Sequence, residues 1–541
     1  MLEIALLFLC FFERKSSQLL ASHAPKSQNM KRFGYINKVD PRLWAVSISL
    51  IISFVLGFNF YINADGILYL NTANSFLTNS ALIPPPGAKW PFYPMLIAGL
   101  SAITGVTAQT SALIWQALFL ALLIVSFINI VRVLGGNRVI QHLAAIVILL
   151  HPDLNENRNM IIRDFGYWAF LLTSFYYLLR YMDKPAWSYA VLWTISISIA
   201  ILFRIEGIVI AGLAPLLIFF LPKENYWHRT LHVARFYAIW IILGIAVLAV
   251  VFWRNHAISL SALGRIDELP RWWQHLTGAF FIRWENVRDT INLLFPEMKS
   301  PHVSVFLIGG LVTYVFYRLL NTLGIFFFAL VLYGQIKHTL KDVVTAPKRY
   351  VLYGFLAINL FIIIVFVTNH WFVASRYLMA TSLILLLWVP FTLLFIAQLW
   401  QQSTYHRRFP WLGKSLALLI TIALFIDCYI SFGPSHAFVR QSADWIQNHV
   451  PQDATLYSNN APLAYYSMRS GTDWYAVTPI TSLPNALKNN SWKQYDYAAF
   501  YINRNDKKSL QEVPALFAYA PLAKFNNSHG DLILIYKVKQ S

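Results

Sequence analysis

Apolar runs of roughly 16–22 residues recur from about position 44 to position 432, close to the roughly 20 residues a helix needs to cross a bilayer. Short polar turns separate them. The pattern predicts a polytopic transmembrane helical bundle of about eleven helices, starting with a span at about 44–60. The stretch 188–222 reads as two short helices broken at Phe203-Arg-Ile-Glu-Gly207. Between 61 and 92 the period changes. Ile67, Leu70, Ala73 and Phe76/Leu77 recur at helical spacing, with Asn71, Thr72, Asn74 and Ser75 on the other side, so this segment predicts an amphipathic helix lying along the membrane surface.

From about Pro434 the chain takes on the pattern of a soluble domain. Ala437–Val450 reads as an amphipathic helix stopped by Pro451. Ala454–Ser458, Tyr495–Ile502 and Leu532–Val538 are aromatic and β-branched runs that read as strands. The expected organisation is mainly α: a cytoplasmic N-terminal extension (1–43), a transmembrane domain (44–433) with long outer loops at 61–92 and 254–303, and a small α/β domain (434–541).

Composition excludes a soluble globular protein, since 57% of residues are apolar, only 12% are charged and the mean hydropathy is +0.51. The net charge of +19 reports topology and not nucleic-acid binding. Lys31, Arg32, Lys38 and Arg42 precede the first span and place the N-terminus in the cytoplasm. Arg132/Arg138, Arg180/Lys184, Lys223/Arg229/Arg235, Lys337/Lys341/Lys348/Arg349 and Arg407/Arg408/Lys414 mark five further loops on the same side. Segments 61–92, 153–164, 203–207, 254–303, 368–377 and everything after Phe432 then face outward. Cys10 and Cys428 lie in apolar runs and form no disulfide framework. Met1–Phe12 lacks a leading basic region and makes a poor signal peptide, so residues 1–29 read as an upstream extension.

Charged groups at the outward ends of spans need partners and mark candidate chemistry. Asp65 opens the amphipathic helix, as a cap, as a general base, or as both, because one carboxylate oxygen can serve a helix N–H while the other faces a substrate. Lys89 follows three prolines in Pro84-Pro-Pro-Gly-Ala-Lys-Trp-Pro-Phe-Tyr-Pro94, either held at the surface by a stiff turn or snorkelling beside aromatic anchors. Arg163 and Asp164 begin the fourth span. Arg204 and Glu206 flank the helix break, and Arg376 and Tyr377 stand just before the tenth span. Each has an ordinary reading as an interfacial anchor or cap, but together they gather arginines and carboxylates at one lipid boundary. His256, His275, His302 and His370 also face outward without ligand spacing, so neither a metal nor another cofactor is expected.

This order of motifs resembles the GT-C superfamily of membrane glycosyltransferases: Asp65 after the first span, the Lys-Trp-Pro-Phe-Tyr-Pro segment, Arg-Asp at the fourth span, Arg-x-Glu-Gly, and a late Arg-Tyr. The nearest likeness is to family-39-like and lipid A aminoarabinose transferase-like enzymes, kin to protein O-mannosyltransferases, over most of 44–541. In this chain Gly66 stands where the O-mannosyltransferases carry a second acid, and Lys89 follows its prolines.

The resemblance implies an inverting transfer of a sugar from a polyprenyl-phosphate donor to an extracytoplasmic lipid, polysaccharide or protein acceptor, at a bacterial inner membrane. Asp65 would be the general base, with Asp164 orienting an arginine or the acceptor. Lys89, Arg163, Arg204 and Arg376 would bind the donor phosphate, and Tyr69, Glu206 and Tyr377 would contact substrate. Two alternatives stay open. One is a polysaccharide ligase or polymerase using a diphosphate-linked glycan; the other is a lipid-linked-sugar flippase, which would carry its ionisable groups near the bilayer midplane.

Overall fold

The computed structural model describes residues 39–58, 60–79, 91–220, 225–253, 280–295, 297, 300–430, 436–467 and 483–539. Among them, four helices are long and apolar enough to cross a membrane: Ala108–Val133, Pro301–Leu323, Ala346–His370 and Pro410–Tyr429. A fifth arises if Ser375–Leu386 and Val389–Gln402, bent by 42°, form one span. Six shorter apolar helices accompany them. The chain is a multi-pass membrane protein, with four to five crossings supported by length and composition. Large apolar side chains stay outside the packed interior, among them Phe54, Ile245, Ile364 and Leu419, as expected where the solvent is hydrocarbon.

The chain divides into two compact units. The first comprises residues 1–56, 114–158 and 163–430. Its centre is the helix Asp164–Asp183, where Asp164 through Ala169 are all buried. The antiparallel partner Trp187–Phe203 packs against it at a glycine. A Cβ on Gly166 would lie 2.4 Å from the Phe203 ring, so only glycine lets Phe203, and with it Arg204, approach the start of this helix. Trp168, Phe175, Trp193, Phe236 and Phe355 fill the surrounding core, with Phe175 stacked on Phe355 at 4.2 Å.

The Gly-Gly turn between Arg132 and Arg138 has a similar logic. Gly135 adopts φ +105°, and a Cβ there would stand 2.8 Å from the Val343 carbonyl oxygen. Asn137 then caps the helix Arg138–Leu149, its side chain accepting from the Ile140 N–H at 3.0 Å.

The second unit comprises residues 57–113, 159–162 and 431–541. It thus includes the helix Ala64–Asn79, with Asp65 in its first turn, as well as the C-terminal segment. Ile67, Leu70 and Ala73 are buried, as their spacing predicts. Thr72, expected on the polar side, is also buried and satisfies its hydroxyl on the Leu68 carbonyl at 2.8 Å. Leu77, expected on the apolar side, is exposed.

The C-terminal segment builds a four-stranded sheet from β1 (Leu456–Ser458), β2 (Tyr497–Ile502), β3 (Ala523–Asn526) and β4 (Leu532–Lys537), in the order β1-β2-β4-β3. β1 and β2 are parallel, and the other two pairings are antiparallel. Alternation along β4 splits its side chains between two layers. Ile533 and Ile535 pack with Phe438, Val439, Ala443 and Ile446 of the helix Ala437–His449. Leu534 and Tyr536 pack with Tyr457, Trp492, Phe500 and Val513 on the other face.

Candidate functional site

The helix Trp187–Phe203 ends because Arg204 leaves helical geometry (φ −147°, ψ 127°) while its N–H still bonds the Ala200 carbonyl. Two residues later Glu206 precedes the helix Gly207–Leu213. This break aims the guanidinium at two carboxylates. One Nη of Arg204 donates to Asp164, and the other Nη and Nε fork onto Glu206 at 2.7 and 3.3 Å. The three side chains are only 5%, 6% and 12% exposed, so the charges answer one another and not solvent. Burial acts to raise the pKa of Glu206, but the charge and hydrogen bonds of Arg204 outweigh it and hold it at about 2.

The triad carries one net negative charge. Arg163, whose charge also acts on Glu206, is the residue immediately before Asp164.

Tyr377 joins this cluster to Arg376. The Arg204 guanidinium lies over the Tyr377 ring at 4.2 Å, and that of Arg376 at 5.6 Å. The ring also stacks on Phe366 at 4.2 Å. A pocket opens here, lined by Tyr167, Arg204, Glu206, Asn359, Phe366 and Thr381 among others. The Thr381 hydroxyl is buried and, among the described residues, has no hydrogen-bond partner, although a helical threonine ordinarily back-bonds to its own helix. Arg163, Asp164, Arg204, Glu206, Arg376 and Tyr377 therefore come together from three helix ends.

The nearby helix Pro152–Asn157 carries Asp153 in its first turn. Burial first, and then the neighbouring Glu156, push its pKa up to about 7 against the opposing influence of Ser375 and Arg318. The native state therefore keeps a proton that the unfolded chain, with a pKa of 3.8, has already lost. Stability should fall as pH rises from about 4 to about 7 and level off above that. Asp153→Asn should remove this component. Thermal unfolding in detergent between pH 4 and 8 tests the assignment, and identical pH slopes for the two proteins would refute it.

Asp65 and Tyr69 belong to the second unit. The helix begins at Ala64, which puts Asp65 in its first turn and not at the cap position, a place where a carboxylate suits the helix dipole. Tyr69 packs edge-on against Tyr93 at 5.3 Å. Lys89 and the proline-rich turn up to residue 90 lie outside the described residues, as do His256, His275 and most of the loop 254–303.

Sequence reasoning missed Tyr167, Asn359 and Thr381. Tyr167 had a usable signal, since it follows Asp164 by three and shares its helix face. Asn359 and Thr381 had only their polarity inside apolar runs to mark them.

No protein-family model and no curated protein matches the chain. Solved structures similar to it include the oligosaccharyltransferase of Archaeoglobus fulgidus in complex with zinc and sulfate, at TM-score 0.49 and 14% identity, over 89% of this chain and 72% of that one. Another is AglB of the same organism with an inhibitory peptide and a dolichol-phosphate, at TM-score 0.45 and 15% identity over 82% of this chain; the chain spans 60% of that protein's length. A third is ArnT from Cupriavidus metallidurans bound to undecaprenyl phosphate, at TM-score 0.40 and 14% identity over 93% of this chain and 98% of that one.

Proposed function

We propose that this chain is a GT-C-type membrane glycosyltransferase that moves a sugar from a polyprenyl-phosphate donor to an extracytoplasmic acceptor. The observation that carries this reading is the convergence of Arg163, Asp164, Arg204, Glu206, Arg376 and Tyr377 at helix ends beside one pocket. A lipid phosphate leaving group gains negative charge as the glycosidic bond breaks, and cations aimed at it stabilise that charge. Arg376 and Arg163 are assigned first to this role, and Lys89 is assigned to it from its sequence context alone. Arg204, already answered by two carboxylates, contributes less positive charge there than its sequence position suggests. Its larger part is to hold Asp164, Glu206 and Tyr377 in one arrangement. Asp65 takes the acceptor proton as the hydroxyl attacks the anomeric carbon, which inverts the configuration.

On this reading the bundle crosses about eleven times, with the six shorter apolar helices counted among the crossings, and the C-terminal domain lies outside the cytoplasm. Purified protein should consume a monophosphate-linked polyprenyl sugar and leave a diphosphate-linked glycan untouched, in EDTA as well as without it. Turnover of the diphosphate donor alone would favour the ligase or polymerase. Loss in EDTA with recovery on adding a divalent ion would overturn metal-free phosphate stabilisation. Alkaline phosphatase fused after Ser541 should be active, and an inactive fusion would reverse the topology.

A further inference from the structure

The four residues before the Asp65 helix are each tied down, and most of the ties come from the far end of the chain. Arg440, in the helix Ala437–His449, donates through Nη2 to the carbonyl of Phe60. The Tyr61 ring stacks on His436 at 4.2 Å and 13°, and packs into the core formed by that helix and the sheet. The N–H of Ile62 donates to the hydroxyl of Tyr466 at 2.8 Å. Arg440 also lies over the Tyr466 ring at 5.0 Å, so the two holding groups brace each other.

Asn63 completes the series on the segment 159–162. Its amide accepts from the Ile161 N–H at 2.8 Å and donates to the Ile161 carbonyl at 3.3 Å. Behind Asp65, Gly66 backs onto the same place, since a Cβ there would stand 2.8 Å from Asn63 Oδ1 and 3.1 Å from the Ile161 Cβ. A glycine costs helix stability, and the close approach explains its presence in the first turn.

We propose that the C-terminal domain is a positioning clamp for the Asp65 helix, with Arg440 and Tyr466 as its positioning residues and the strap Phe60–Asn63 as the element it grips. The inference rests on Asp65 being the general base, and it gives the soluble domain a role in the proton-transfer geometry in addition to any contact with acceptor. Two hydrogen bonds and one stacked ring on successive residues fix both the direction and the depth of a helix that starts two residues later. A base misplaced by about 1 Å can cost on the order of 10²-fold in rate.

The test uses the full-length protein in nanodiscs, with Arg440→Ala, Tyr466→Phe, the conservative Arg440→Lys, and Asp65→Asn as a separate arm. Hydrogen exchange should speed up over 60–66 in Arg440→Ala and Tyr466→Phe while β2 and β4 stay protected, which shows that the domain is still folded. The same two variants should lower kcat about 10- to 100-fold and leave the KM for the lipid-linked donor unchanged, and Arg440→Lys should recover much of the loss. Unchanged exchange over 60–66, or faster exchange with unchanged kcat, overturns the clamp. The Asp65→Asn arm reports on the base separately. If that variant keeps its turnover, the general-base reading fails whatever the strap does; if it loses turnover while the strap is unaffected by the clamp variants, the base stands and the clamp falls.

Discussion

Asp65→Asn is expected to leave the protein folded and inserted while lowering sugar transfer about 10²- to 10⁴-fold, the usual weight of a general base. The side chain sits in the first turn of Ala64–Asn79, where the charge–dipole interaction that the substitution removes is worth about 0.3–1 kcal/mol. Size and hydrogen-bonding shape are nearly kept, so thermal stability should barely move. Proton affinity is lost altogether, so the chemical step should fail. Transfer measured with lipid-linked donor at saturating acceptor decides the matter. Near-normal turnover would reduce Asp65 to a structural residue at a helix start and would require another base.

Arg204→Ala is expected to destabilise the first unit by about 3–5 kcal/mol, because it removes the guanidinium that is hydrogen-bonded to two buried carboxylates. Asp164 and Glu206 both depend on this guanidinium, and Tyr377 would lose the cation over its ring. Arg204→Lys should fall between the two, since it restores charge without the planar fork that reaches both acids. Adding Asp164→Asn and Glu206→Gln to Arg204→Ala should recover stability and not activity, which separates the cost of the lost ion pairs from the function of the cluster. Thermal unfolding and size-exclusion behaviour in detergent read out the first effect. An Arg204→Ala protein as stable as wild type would mean that water or lipid headgroups, and not Arg204, satisfy the two acids.

Much of the secondary structure was legible because local periodicity specifies it. The broken helix at Phe203–Gly207 is visible as a charged, glycine-ended interruption between two apolar runs, and the chain does leave helix geometry at Arg204. The alternation in Leu532–Lys537 similarly divides its side chains between two cores. β3 (Ala523–Asn526) escaped notice because it is a short edge strand whose side chains are only partly buried and exposed, so no alternating apolar signal marks it. Thr72 was misassigned to the polar face because a hydroxyl that bonds its own helix can be buried at little cost, and a binary pattern does not register that.

The sequence by itself determined where helices and strands can form, which segments need an apolar solvent, and which ionisable residues stand at helix ends. It did not determine which of those charges meet. Arg163, Arg204 and Arg376 read alike along the chain, yet tertiary packing at Gly166 gives Arg204 to Asp164 and Glu206 and leaves Arg376 on the Tyr377 ring. The grip on Phe60–Ile62 was equally invisible, since Arg440 and Tyr466 lie some 380 and 404 residues further along. Periodicity is set by neighbours three or four positions apart, whereas pairing across hundreds of residues depends on which surfaces the packed helices and sheet bring within hydrogen-bonding distance.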